Sequence, residues 1–338
     1  MSRSTFTLDL GAIRDNVRTL RKVAGGAELW AVVKADGYGH GATDVSRAAL
    51  DAGATALCVA TVAEGLALRP SMPDARVVVL GPTERDEVSD AREASLELVV
   101  GEGPIPEDLP VHLKLDTGMG RWGVSELAVP GRTVVGLMSH LSSAESDTDF
   151  TTRQIERFRT ATNQHLGLTR HLANSAGTLR YPEARLDAVR CGIALYGISP
   201  FGGDPAAYGL RPALRWESRL AQVKLLAVGQ STGYGRCFVA SRPTWIGLVP
   251  VGYADGFRRD MTGTEVLVGP DRCRVVGTVS MDALAVELPD ERPVGELVTI
   301  LGDGVLAEEH ARVAETIAYE IVCGLRTGKT RAGREVVE

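Results

Sequence analysis

The chain has 338 residues, 44% of them hydrophobic and 24% charged, which is enough for two ordinary domains or one large barrel with an appendage. No low-complexity tract points to disorder, and a formal net charge of -6 with scattered basic residues lacks the electrostatic footprint of a nucleic-acid or membrane-surface binder. Small molecules are the expected partners.

The opening residues, MSRSTFTLDLGAIRDNV, lack the continuous apolar stretch of a signal peptide. No run elsewhere approaches the ~20 apolar residues of a membrane span, so the expected location is cytoplasmic. Cys58, Cys191, Cys237, Cys273 and Cys323 stand far apart, with no CxxC pair and no histidine spacing suited to zinc. They read as reduced and mostly structural, and no metal site is expected.

The first segment, STFTLDL, reads as a strand whose pairing partner the sequence leaves open. Eight apolar runs follow between residue 29 and residue 193: LWAVVK, ALCVA, RVVVLG, LELVV, VHLKLD, VVGLMSH, RHLANS and LDAVRCG. Amphipathic stretches such as TDVSRAALDAG, VAEGLALRP and DFTTRQIERFRTATNQHLG separate them. That alternation is the pattern of buried parallel strands covered by helices, and eight units predict a closed (β/α)8 barrel, with a doubly wound open sheet as the alternative. GEGPIPEDLP and GRWGVSELAVPGR are too short or too rich in Pro and Gly for good helices, so the barrel is expected to be a reduced one. After ISPFGGDPAAYGLRPAL the pattern changes to β-branched runs broken by Gly and Pro, with few helical signals before HARVAETIAYEIVCGL. The expected division is a barrel over residues 8–212 and a mostly β domain over 213–338, which strand 1–7 is free to join.

In a barrel of this kind the chemistry sits where strands end, so polar residues closing apolar runs are the candidates. Lys34 closes the first run, Lys114 and Asp116 the fifth, His140 the sixth, Asn174 and Ser175 the seventh, and Arg190 with Gly192 the eighth. A buried strand has no use for an ammonium unless it is paired or neutralised, so Lys34 either reaches a surface or reacts. A lysine facing an arginine, a histidine and small hydroxyl or glycine positions suits a Schiff base with an aldehyde cofactor. Loops after the seventh and eighth strands of barrels frequently hold phosphate, which here are NSAGT and CGI.

AVVKADGYGHGA (31–42), LKLDTGMGRWG (113–123), HLANSAGT (171–178), RCGIALYG (190–197) and GYADG (252–256) followed by VSMDA (279–283) resemble, in order and spacing, the blocks of alanine racemases. The resemblance covers nearly the whole chain. It implies a pyridoxal 5'-phosphate enzyme interconverting L- and D-alanine, which in bacteria feeds peptidoglycan. Lys34 then carries the cofactor and serves one face of the substrate Cα, and Tyr253 serves the other.

A tyrosine with a normal pKa of ~10 is a poor base, and His140 backed by Arg190 fits the task of favouring its phenolate. Arg190 matches the arginine facing the pyridine nitrogen, where it donates a hydrogen bond without protonating the ring. The phosphate falls to Ser175, the amides of Gly192 and Ile193, and the Tyr38 phenol, with Asn174 beside them. Arg121, Met281 and Asp282 match positions that bind the substrate carboxylate. Lys114 matches a lysine often carbamylated in the family; unmodified, it is expected to pair with Asp116 or another acid. The family meets across a homodimer interface, so Tyr253, Met281 and Asp282 of one chain are expected to complete the barrel mouth of the other.

Two departures bear on substrate breadth. Thr327, in YEIVCGLRTGKTRAG, stands where the family has a tyrosine, and Thr278 where an arginine is common. A broad-specificity or serine racemase is therefore carried as the alternative. A barrel that binds the cofactor without turnover is disfavoured by the β domain and its tyrosine, and a decarboxylase by Arg190.

Overall fold

The structure is a computed structural model that describes residues 3–128, 133–165, 167–328 and 330–338. The chain forms two compact units. One comprises Ile13–Phe201 and Tyr208–Leu210; the other comprises the N-terminal segment through Ala12, Gly202–Ala207 and Arg211–Glu338.

Strand β1 (Ser4–Asp9) leads into helix α1 (Leu10–Ala24), whose first turn Asp9 caps by accepting the Ala12 amide at 2.8 Å. The next eight strands close a parallel barrel: β2 (Glu28–Val32), β3 (Ala56–Val59), β4 (Val77–Val79), β5 (Glu97–Val100), β6 (Val111–Lys114), β7 (Val134–Met138), β8 (Thr169–His171) and β9 (Ala188–Cys191). Each lies within one of the eight apolar runs or begins one residue before it. The reason is physical: a strand buried on both faces, such as the fully buried Val77–Val79, has no polar alternation to show. Closure comes from β9 pairing with β2, which sets Arg190 beside Trp30.

Between the strands lie α2 (Lys34–Tyr38), α3 (Ala42–Asp51), α4 (Val62–Leu68), α5 (Glu87–Glu93), α6 (Thr148–Thr162) and α7 (Ser175–Arg180). Thr61, Asp147 and Asn174 cap α4, α6 and α7 by accepting amides three residues on. Among the described residues no helix connects β5 to β6 or β6 to β7, where Pro104, Pro106 and Pro110 remove amide donors from the first of these connections. The barrel is thus a reduced one; residues 129–132 of the second connection, and residue 166, lie outside the described residues.

The second unit is built on a nine-stranded sheet. Its strands are β1, β10 (Leu214–Arg219), β11 (Gln222–Leu226), β14 (Thr244–Val249), β15 (Glu265–Val268), β16 (Asp271–Val276), β17 (Leu284–Leu288), β18 (Leu297–Leu301) and β19 (Gly333–Val337). A hairpin of β12 (Ser231–Thr232) and β13 (Phe238–Val239) stands apart. β1 pairs antiparallel with β10 and parallel with β19, and Phe6 stacks on Trp216 in that register with ring centroids 4.9 Å apart. Leu226, Ala240, Ile246, Val276 and Ala285 form a buried cluster beneath the other end of the sheet. The helical signal in HARVAETIAYEIVCGL resolves into α8 (Ala307–Val313) and α9 (Ala318–Cys323), broken where Glu315 takes φ 50°. No described helix is long and apolar enough to cross a membrane.

Candidate active site

Lys34 lies two residues past the end of β2, at the carboxyl end of the barrel. The segment after it is one left-handed turn: φ is 52° at Ala35, 50° at Asp36, 61° at Gly37 and 53° at Tyr38. Left-handed backbone costs a non-glycine residue roughly 1–2 kcal/mol, so three such residues within four positions, Ala35, Asp36 and Tyr38, persist only because the surroundings hold them. Glu64 Oε1 accepts the Ala35 amide at 2.8 Å, Asp36 Oδ1 accepts the Ala42 amide at 2.8 Å, and the Gly37 amide returns to the Val33 carbonyl at 2.8 Å. The turn folds the Tyr38 ring back against Tyr196, with centroids 5.0 Å apart.

Opposite that ring, Gly192 follows β9, and a Cβ there would sit 2.4 Å from Tyr38 Oη. Ser175, the first residue of α7, accepts the Gly192 amide at 3.0 Å and the Ala194 amide at 3.3 Å through Oγ. A hydroxyl that accepts two amides keeps its own proton to donate. Asn174 is turned to the backbone, accepting Gly177 at 2.9 Å and donating to the Leu141 carbonyl at 3.3 Å. Ile193 is fully buried next to Gly192.

Arg190 is 2% exposed. Its Nη1 donates to His171 Nδ1 at 2.8 Å and the His171 carbonyl at 2.7 Å, and its Nη2 to the Ser139 carbonyl at 2.7 Å and the Leu172 carbonyl at 3.2 Å, with His140 Nδ1 at 3.3 Å. Its Nε has no hydrogen-bond partner among the described residues. Burial lowers the guanidinium to about 10, so it remains a cation at neutral pH.

Behind Arg190 runs a buried chain that sequence reasoning missed. An arginine only donates, so His171 Nδ1 is bare and its Nε2 carries the proton toward His112 Nδ1 at 2.9 Å. His112 Nε2 in turn donates to Glu97 at 2.8 Å, and Arg76 clamps that carboxylate through Nε at 2.7 Å and Nη2 at 2.9 Å. Burial, then Arg190, hold His171 well below its usual value, and burial lowers His112, so both imidazoles are neutral. A Cβ at Gly136 would lie 2.1 Å from His112 Nδ1; a glycine inside a strand run was the available signal.

Burial alone would raise the Glu97 carboxyl, but His112 and Arg76 hold it at about 2 against an ordinary 4.5. A carboxyl with a depressed folded-state pKa stabilises fully above its unfolded value, and that stability is lost as pH falls from 4.5 through about 2. Glu97→Gln is expected to flatten acid unfolding across this window and to destabilise the protein at neutral pH by about 1–3 kcal/mol, read by thermal melts against pH. Equal pH slopes in the two proteins would contradict this assignment.

Lys114 is 4% exposed, and burial, then Arg121 and Arg190, lower its amine to about 8. Asp116 is engaged elsewhere, accepting the Gly118, Met119 and Gly120 amides at 2.8–2.9 Å. Lys114 Nζ and the Arg121 guanidinium instead lie over the Trp122 ring, 5.3 and 4.7 Å from its centroid. These residues line a cavity of about 580 Å³ with Leu98, Val99 and Arg85. Burial and the cations Arg190, Arg121, Lys114 and Lys34 keep His140 well below its usual value, hence neutral.

The remaining candidates belong to the sheet unit. Tyr253 opens a short turn, Tyr253–Asp255, after β14 and is 42% exposed. Its amide donates to the Ser280 carbonyl at 3.0 Å and that of Ala254 to the Met281 carbonyl at 3.1 Å, which sets the exposed Met281 beside it. Asp282 accepts from Arg331 at 2.7 Å and from Arg3 at 3.3 Å, and these arginines, Arg331 first, hold its carboxyl below the usual range. Thr278 Oγ1 donates to the Tyr234 carbonyl at 2.9 Å, and Thr327 is partly exposed after α9.

Cationic and hydrogen-bonding groups gathered at the carboxyl ends of a closed parallel barrel, in a chain with a separate sheet unit, define a barrel enzyme acting on a small molecule. Residues 8–200 match the family model described as "Alanine racemase, N-terminal domain", and 213–332 that described as "Alanine racemase, C-terminal domain". The alanine racemase of Symbiobacterium thermophilum is 39% identical over 94% of this chain and 93% of its own length; that of Lactiplantibacillus plantarum is 40% identical over 94% of each. Among solved structures, the biosynthetic alanine racemase of Pseudomonas aeruginosa matches with TM-score 0.91 and 35% identity over 100% of both chains. That of D-cycloserine-producing Streptomyces lavendulae matches with TM-score 0.91 and 33% identity over 100% of this chain and 98% of its own. The chain belongs to the alanine racemase family.

Proposed function

We propose that the protein is an alanine racemase, an isomerase that interconverts L- and D-alanine with pyridoxal 5'-phosphate and supplies D-alanine for peptidoglycan. In this reading it works in the cytoplasm as a homodimer, with residues 8–212 binding the cofactor and 213–338 completing the neighbouring subunit's site. The observation that carries the reading is Arg190, buried, fixed through both terminal nitrogens, and left with Nε as its one uncommitted donor among the described residues.

The residues present fit the cofactor. Arg190 Nε is an orphaned buried donor suited to a pyridine nitrogen, and only the missing Cβ of Gly192 lets the Tyr38 hydroxyl come this close to that main chain. Lys34 would take the aldehyde; Ser175 Oγ, Tyr38 Oη and the amides of Ile193 and Gly192 would hold the phosphate, the Gly192 amide by leaving Ser175 Oγ, with Asn174 fixing the start of α7. When bound, the cofactor supplies an electron-withdrawing ring that acidifies the Cα–H of the attached amino acid. Arg190, a cation that does not give up its proton near pH 7, keeps that ring a modest electron sink, which suits proton return over transamination.

Lys34 moves the Cα proton on one face, and Tyr253 of the partner subunit on the other. Neutral His140 accepts from Arg190 at Nδ1, so its Nε2–H is the donor that favours the phenolate of Tyr253 of the partner subunit. Arg121 faces the substrate carboxylate. Asp282 is anionic, so the share of the Met281–Asp282 pair in that contact falls to main-chain N–H groups. Lys114, with a pKa of about 8, has enough neutral amine near physiological pH to take up carbon dioxide, and a carbamate there would counter the charge of Arg121.

Gly192→Ala is expected to displace Tyr38 and destabilise the apoprotein by about 1–3 kcal/mol. It should also shrink the rise in melting temperature that added pyridoxal phosphate gives the wild type. An undiminished rise would remove Gly192 from the cofactor site. The two-subunit site is tested by complementation. Lys34→Ala and Tyr253→Phe subunits, each inactive alone, should regain roughly a quarter of wild-type activity when unfolded and refolded together, because each mixed dimer contains one intact site. No regain from a mixture that does form mixed dimers would contradict the shared site.

A further inference from the structure

The turn that carries Tyr253 is held by contacts of backbone against backbone on two sides. A Cβ on Gly252 would lie 2.2 Å from the Ser280 carbonyl oxygen, and one on Gly256, at φ +106°, 2.7 Å from that of Gly324. Side chains are excluded from both faces, so alignment depends on the polar groups inside the turn. At its centre Asp255 is 1% exposed and accepts the Gly252 amide at 2.9 Å. Its own carbonyl accepts the Arg326 amide at 3.0 Å, tying in the segment after α9.

A carboxylate this deeply buried needs a cation. The one paired with it among the described residues is Arg331, through Nε at 2.7 Å and Nη2 at 3.1 Å. The same Nη2 donates to Asp282 at 2.7 Å. One planar guanidinium therefore joins the turn bearing Tyr253 to the turn bearing Met281 and Asp282. Two-nitrogen engagement fixes orientation as well as distance, which an ammonium does not. The Tyr253 phenol makes no hydrogen bond within its chain among the described residues, so its aim is set by the turn.

We infer that Arg331 is a positioning residue that locks the Tyr253 turn to the Met281–Asp282 turn, setting the proton carrier and the carboxylate contact as one block. The inference rests on the roles proposed above for Tyr253 and the Met281–Asp282 pair. Arg331 itself touches no reacting atom.

The test uses full-length holoenzyme carrying Arg331→Gln or Arg331→Lys, with Tyr253→Phe as the reference. A misplaced proton carrier is expected to lower kcat by about 10- to 100-fold. Arg331→Lys, which keeps charge but not the fork, should recover little of the loss, and it also serves as the second variant if Arg331→Gln folds poorly. Because the equilibrium constant for racemisation is one, kcat/KM is equal from either enantiomer in every variant, and the α-deuterium isotope effect carries the distinction. It should rise for the enantiomer deprotonated by Tyr253 and not for the other, while amide exchange quickens over 252–257 and 280–282. Unchanged kcat, full rescue by lysine, or a loss with lowered melting temperature and no one-sided isotope effect would overturn the inference. Were Tyr253→Phe to racemise normally, the underlying reading would fail as well; an impaired Tyr253→Phe beside unaffected Arg331 variants would sink the inference alone.

Discussion

Lys34→Ala is expected to purify without the visible absorbance of lysine-bound pyridoxal phosphate and to lose at least ~10³-fold of its racemase activity. Both losses have one source. Lys34 stands at the carboxyl end of β2, where a strained left-handed turn holds Tyr38 over Gly192, so the amine and the proposed phosphate cradle belong to one local structure. An alanine at position 34 leaves that turn and its contacts through Glu64 and Asp36 in place. The variant should fold, with a melting temperature near that of wild-type apoprotein, and fail chemically. A Lys34→Ala protein that kept its visible band would show the cofactor attached elsewhere.

Tyr253→Phe is the second large effect, and it differs in kind. The phenol is exposed on its own chain and packs in no ring pair there among the described residues, so its loss should leave folding and visible absorbance intact. Racemase activity is expected to fall by about 10²- to 10⁴-fold, the usual worth of a positioned acid or base. In the proposed mechanism Lys34 would still serve its own face. In heavy water one enantiomer should therefore exchange its α-proton without inverting, and the other should exchange far more slowly. Proton NMR of the α position checks both. Equal exchange from both enantiomers, with normal racemisation, would place the second proton carrier elsewhere.

What the sequence made legible follows from burial. Parallel strands covered on both sides must be apolar throughout, so runs such as RVVVLG announced β4 and its neighbours, and a lysine ending one of them stood out. The helix-poor connection GEGPIPEDLP was equally plain, because proline removes donors that a helix requires. The left-handed turn was not legible, since Ala35 and Tyr38 have no preference for that backbone and only the surrounding contacts hold them in it. The Glu97–His112–His171 chain was hidden because a histidine inside an apolar strand has no meaning until its neighbours across the barrel are known. Arg331 was hidden by distance along the chain: its two acids lie 76 and 49 residues away. The single helical signal near the C-terminus split at Glu315, whose positive φ is again set by its setting.

The measurement that tests the account most directly is made on the wild type reconstituted with pyridoxal phosphate: a visible spectrum, followed by L-alanine and a stereospecific assay for D-alanine, with L-serine run in parallel. The account predicts a lysine-bound cofactor band, D-alanine rising to equal the L form, and slower turnover of serine. A band with no D-alanine formed would contradict it, and preferred turnover of serine would move the substrate assignment to the region of Thr327 and Thr278.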